Sequence, residues 1–276
     1  MEQLYFDKYF NKHKIDYGFK FVICTTNFNK IKKENSKEYS EYILKFNKQL
    51  KDISFNNMFR RSYAEVCFIN GLANEHKFIL DLGCCGGDVS TAMGYKNDCF
   101  IVGIDNESDM RYGGEKNYKI AMNYYNNNFK FIHANFINQE NFIKNKLIFY
   151  KFSLVFFDID PHINKIERKL INYTNLFDDK LTLVFSCILT SDMSTGFLFR
   201  SGIYETIVDL TQIYNIISCY IITNGPYCWN FLIINLDKST NGMDISEFKE
   251  YLFSFKDGSE SNIIIDENKD KPYNKK

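Results

Sequence analysis

Four apolar runs in this chain end in residues that can do chemistry. The first, Phe78-Ile79-Leu80-Asp81-Leu82, passes into Gly83-Cys84-Cys85-Gly86-Gly87-Asp88-Val89-Ser90. The others are Val102-Gly103-Ile104-Asp105-Asn106, Phe131-Ile132-His133-Ala134-Asn135-Phe136 and Phe156-Phe157-Asp158-Ile159-Asp160-Pro161-His162. Glycines after a buried strand let the backbone turn tightly and let a ligand approach it closely. Two phosphate-binding fingerprints fail here. Counted from Gly83, the second and third glycines of G-x-G-x-x-G fall at Cys85 and Asp88, and no Gly-Lys-Ser/Thr follows as a P-loop requires. Asp81 would also repel a pyrophosphate laid against the turn. The pattern suits a ligand that brings donors or positive charge in place of phosphates.

These residues must be held by a regular scaffold, and one is legible between Met58 and Leu236. Short apolar runs (Phe78–Leu82, Cys99–Ile104, Phe129–His133, Ser153–Phe157, Leu181–Ile188, Ile217–Thr223 and Trp229–Leu236) alternate with amphipathic stretches. Ser108–Asn126, Ile163–Phe177 and Gly202–Tyr214 read as helices, and Arg60–Ala73 as one before the first strand. Runs apolar at consecutive positions fit parallel strands covered on both faces. The last two runs are joined only by Asn224-Gly225-Pro226-Tyr227-Cys228, too short for a crossover, so they must pair antiparallel. The expectation is an α/β fold: a Rossmann-like, doubly wound, mostly parallel seven-stranded sheet with an antiparallel last strand. Residues 1–57 form a small N-terminal extension, 58–240 the main domain and 241–276 a polar C-terminal tail.

Composition narrows the classes further. Of 276 residues, 45% are hydrophobic and 17% aromatic, enough for a large core. Lys and Arg number 34 against 34 Asp and Glu, so nucleic acid is disfavoured as a partner. The 8 Cys form no C-x-x-C pair, and reduced, buried thiols are expected rather than zinc ligands or disulfides. No apolar segment approaches the roughly 18 residues of a membrane span. The N-terminus lacks a secretory signal. A cytoplasmic protein with no membrane partner is expected.

Asp81-Leu82-Gly83-Cys84-Cys85-Gly86-Gly87 resembles the first motif of the class I S-adenosylmethionine-dependent methyltransferases, Asp/Glu-x-Gly-x-Gly-x-Gly. Asp81, Gly83 and Gly87 fall in phase, with Cys85 at the central glycine. Asp105, 24 positions after Asp81, stands where that family's acid accepts both ribose hydroxyls. The resemblance implies that Asn135 faces the adenine amine and Phe136 flanks its ring. It gives cofactor contacts to Asp81, Gly83, Cys84, Cys85, Gly86, Gly87, Asp105, Asn106, Asn135, Phe136 and Asp158. Asp158 and Asp160 would face the acceptor, as base or as anchors for a cation. The cofactor implied is S-adenosyl-L-methionine. Asp160, His162 and Asp192 are the set a divalent metal would use in catechol-type enzymes, but their spacing does not demand a metal and none is expected.

A narrower resemblance, to spermidine synthases, covers Met58 to Leu236. It rests on Tyr63-Ala64-Glu65, Asp158-Ile159-Asp160-Pro161 and Gly225-Pro226-Tyr227-Cys228-Trp229-Asn230-Phe231. The aspartate loop is one residue shorter than in that family, and Ala64 replaces its His. The glycine turn is also similar to that of RNA 2′-O-methyltransferases, without their Pro. Methyl transfer is therefore the expected activity. Aminopropyl transfer, or a non-catalytic scaffold on the same fold, are the alternatives; the acceptor, and whether the chain is a homodimer, stay open. The same residues also have plain structural uses: Asp81 as a helix cap, and Asp105, Asn135, Asp158 and Asp160 as turn formers.

Overall fold

A computed structural model of the chain describes residues 10–15, 21–26, 69, 71–84, 87–94, 97–106, 128–159, 166–187, 193–223 and 230–254. Their strands are β1 (Phe10–Ile15), β2 (Phe21–Thr26), β3 (Phe78–Leu82), β4 (Phe100–Asp105), β5 (Phe129–His133), β6 (Phe152–Phe157), β7 (Phe177–Cys187), β8 (Asn215–Thr223) and β9 (Asn230–Asp237). They form one sheet in the order β1-β2-β8-β9-β7-β6-β3-β4-β5.

β3 to β9 are the seven strands expected, and β9 is the reversed one. It lies between β7 and β8, antiparallel to both. A polar line crosses this part of the sheet and fixes its register: Thr182 donates to Asn235 Oδ1 at 2.8 Å, and Asn235 Nδ2 donates to Ser218 at 2.9 Å. Both Thr182 and Ser218 are buried, so a one-residue slip of β9 would strand polar groups as well as turn its apolar face outward. The sheet then continues beyond the expected seven strands. β2 pairs parallel with β8, and β1 pairs antiparallel with β2, so part of the N-terminal extension is a hairpin on the sheet edge.

β3 and β6 are buried at nearly every position, as strands covered on both faces must be. The covering helices are α1 (Asp88–Gly94), α2 (Glu140–Leu147), a 3-10 helix (Ile166–Leu176), α3 (Met193–Leu210) and α4 (Ile245–Ser254). α3 extends the helix expected at Gly202–Tyr214 toward its N-terminus. α4 falls in the region expected to be a polar tail, yet its Phe248 and Leu252 are buried in the main core.

In a 3-10 helix side chains three apart eclipse each other. That period puts Glu167, Leu170, Tyr173 and Leu176 on one inward row, and all four are buried. Next to this row Arg168 reaches α3, at 3.2 Å from Glu205 and 3.1 Å from Asp209. Among the described residues no helix is long and apolar enough to cross a membrane. The helix expected at 108–126 lies outside them, as does most of 60–73.

Candidate functional site

The chemistry-bearing residues come together at the carboxyl edge of the parallel strands, and the sheet's own hydrogen bonds hold them there. The ladder runs on past the strand ends: Gly83 N donates to Ile104 O at 2.9 Å, Asp158 N to Leu82 O at 2.9 Å, and Ala134 N to Asp105 O at 2.8 Å. The turns after β3, β4, β5 and β6 therefore leave from one line along the crevice where open α/β sheets bind ligands.

The turn after β3 requires glycine at two places. Gly83 has φ +79° and Gly87 φ +83°, in the left-handed region that side chains disfavour. Gly83 is also crowded, because a Cβ there would lie 2.6 Å from the Asp158 carbonyl oxygen. The close approach that Gly83 serves is thus between two strand ends. Gly87 N donates to Cys84 O at 2.7 Å and closes the turn just before α1. Cys84 is buried, and Cys85 and Gly86 lie outside the described residues.

The four strand-end residues have different parts. Asp81 is wholly buried and accepts a hydrogen bond from Ser90 of α1, so it ties the strand to the helix that follows. Ser90, nine positions on, was present in the motif but its type alone carried no signal. Asp105 is buried at the end of β4, 7% exposed. Next to it the ring of exposed His133 donates from Nε2 to the Asn106 carbonyl at 2.9 Å, which joins the ends of β5 and β4. Asp158 is half-buried at the end of β6, beside Gly83. Asp160 lies outside the described residues, as do His162, Asp192, Tyr63, Glu65 and Trp229.

Asn135 makes a turn. Its Oδ1 accepts from Ile137 N at 2.9 Å and Asn138 N at 3.1 Å, and its own backbone N–H donates to Gln139 Oε1 at 2.6 Å. Two backbone donors can face only the oxygen, so the amide orientation is settled. What Asn135 can offer a ligand is then its NH2, a donor, which can pair with a ring nitrogen but not with the adenine amine that the resemblance implies. Phe136, expected beside an adenine ring, is a core residue: only 6% exposed, it stacks on Tyr173 at 4.7 Å. Tyr173 also donates its hydroxyl to the Phe136 carbonyl at 3.0 Å.

One buried acid near this edge was not anticipated. Glu167, the second residue of the 3-10 helix, is 1% exposed, and its Oε2 has no hydrogen-bond partner among the described residues. Burial pushes its carboxyl up to about 7. Cys84, Cys99 and Cys219 are buried, as expected. Burial and nearby Asp98 push the Cys99 thiol up to about 12, which keeps it inert.

No protein-family model and no curated protein matches the chain. Solved structures do. An O-methyltransferase from Bacillus cereus in complex with SAH aligns over 68% of this chain and 89% of its own, with 15% identity and a TM-score of 0.50. A cofactor-bound protein from MTB aligns over 72% of this chain and 90% of its own, with 14% identity and a TM-score of 0.52. The chain has the class I S-adenosylmethionine-dependent methyltransferase fold. On that fold the crevice above β3, β4 and β6 is where Asp105, Gly83 and Asp158 stand, and the hairpin β1–β2 widens the sheet at the edge far from it.

Proposed function

We propose that the chain binds S-adenosyl-L-methionine in this crevice and transfers its methyl group to an amine or hydroxyl acceptor. One observation carries the reading. Asp105 ends the strand next to β3, whose end bears the glycine turn, so the sheet sets its carboxylate at the carboxyl edge where open α/β folds bind ligands. A carboxylate so placed accepts two hydrogen bonds from a ribose diol, which neutral side chains reproduce poorly. The sequence of this turn has small residues and no phosphate-binding Lys, which suits the cofactor's amino-acid part. The donor set therefore fits the cofactor.

The bound cofactor supplies an activated methyl group on a sulfonium. The chain's own residues have the tasks of placement. Gly83 and Asp158 bring the ends of β3 and β6 into backbone contact, which sets Asp158 next to the turn. There it can orient the acceptor or take its proton. The Asn135 amide donates toward the adenine ring, with its oxygen already held by the turn. Asp81 acts from behind, fixing α1 through Ser90.

Calorimetric titration with S-adenosylmethionine and with its decarboxylated form tests the reading. Binding of the first, with the second weaker, is expected. Preference for the decarboxylated form would point to aminopropyl transfer, and binding of neither to a scaffold.

A further inference from the structure

The opposite edge of the sheet carries a surface that the proposed chemistry does not use. α2 runs from the carboxyl end of β5 back to the amino end of β6. Phe142, in its first turn, is 45% exposed, and Ile148 and Phe149, just past its last residue, are 59% and 94% exposed. A value of 94% means that almost nothing packs against the Phe149 ring, so it projects from the molecule. Lysines surround this tip. Lys146 lies over the Phe142 ring, Lys130 donates to the Lys146 carbonyl at 3.4 Å, and Lys151 donates to the Asn175 carbonyl at 2.5 Å. All three spend their donors on carbonyls or rings, and none pairs with a carboxylate among the described residues. The acid on this helix, Glu140, is at its other end and is taken by Lys144. On a chain of zero net charge this is a local cationic surplus around an apolar tip.

We infer that this tip is a peripheral docking surface for an anionic lipid bilayer. Apolar side chains enter the boundary between headgroups and acyl chains while the lysines remain at the charged surface. The other occupants fit less well. A second copy placed by a two-fold axis would set lysines against lysines. Protein interface cores are depleted in lysine. A nucleic acid would use the lysines and stack on Phe149, but it gives exposed Ile148 no apolar partner. That no described helix is long and apolar enough to cross a membrane does not bear on this, because a surface contact lies on the bilayer and crosses nothing. Bound in this way, the molecule keeps its carboxyl-edge crevice turned away from the lipid.

Co-sedimentation of the full chain with phosphatidylcholine vesicles, with and without phosphatidylserine, tests the inference. Sedimentation with the phosphatidylserine vesicles, reversed by salt, is expected. Phe149→Ser should weaken it about tenfold and Lys146→Glu by at least as much. Both positions are exposed, so the unfolding midpoint of either variant should match the parent. The inference is overturned by sedimentation that ignores phosphatidylserine or both substitutions, or by none at all. It is also overturned if the vesicle-free protein forms a dimer, or binds single-stranded RNA, in a way that Phe149→Ser abolishes.

Discussion

Gly83 and Asp158 touch through their backbones: a Cβ on Gly83 would sit 2.6 Å from the Asp158 carbonyl oxygen, at a residue whose φ is already +79°. The first turn and the proposed acceptor-side aspartate are therefore one unit. Gly83→Ala should cost about 2–4 kcal/mol, from left-handed strain together with a contact against rigid backbone. Urea unfolding measures it, and a loss below about 1 kcal/mol would show that the two strand ends can part easily.

Ser90→Ala removes a hydroxyl donor from a wholly buried carboxylate. Hydrogen bonds to charged groups are worth about 1.5–3 kcal/mol, and the variant should lose stability on that scale. Cofactor affinity should fall with it, since α1 is no longer tied to the turn. Ser90→Thr, which keeps the hydroxyl, should recover part of both in the same titrations.

Glu167 makes stability depend on pH. Its carboxyl is raised from 4.5 to about 7 by burial, so between those values the folded chain holds a proton that the unfolded chain has lost. Stability is then highest below the lower value, falls as pH rises through the window, and levels off above the upper one. Glu167→Gln should flatten that decline and be the more stable form above neutrality, by on the order of 3 kcal/mol. Unfolding midpoints at pH about 5 and about 8 measure it; parallel profiles for the two proteins would remove Glu167 as the cause.

Asp158→Asn keeps the size of the side chain and removes its charge. Cofactor affinity should change little and turnover should fall, by about 10²–10⁴ if Asp158 is the base. Single-turnover assays on an accepted substrate read the step directly. Full activity would leave Asp158 a structural strand end.

Much of this architecture is legible in local pattern, and the rest depends on distant partners. The strands β3, β4 and β6 show as nearly consecutive apolar residues because both their faces are covered, and the β8–β9 reversal follows from the short 224–228 connection. β1 reads Phe-Asn-Lys-His-Lys-Ile, a polar edge strand whose type is settled only by pairing with β2. α2 and α4 are short helices, and their buried residues, Ile143 with Leu147 and Phe248 with Leu252, are single i, i+4 pairs. Such a pair is too little period to read alone. At the site, the strand-end acids and the glycine turn were visible because spacing sets them. Phe136 stacks on Tyr173, a partner 37 positions away that local spacing does not show. The burial of Glu167 depends on the 3-10 period of its helix, which spacing along an assumed α-helix does not reveal.

The central claim is that the crevice at Asp105 holds S-adenosylmethionine, and paired calorimetric titrations of the parent chain and Asp105→Ala test it most directly. Measurable binding to the parent, weakened in the variant by about 1–3 kcal/mol with an unchanged unfolding midpoint, is the predicted result. Equal affinity in the two proteins would remove Asp105 from the site, and no binding to the parent would contradict the proposed function itself.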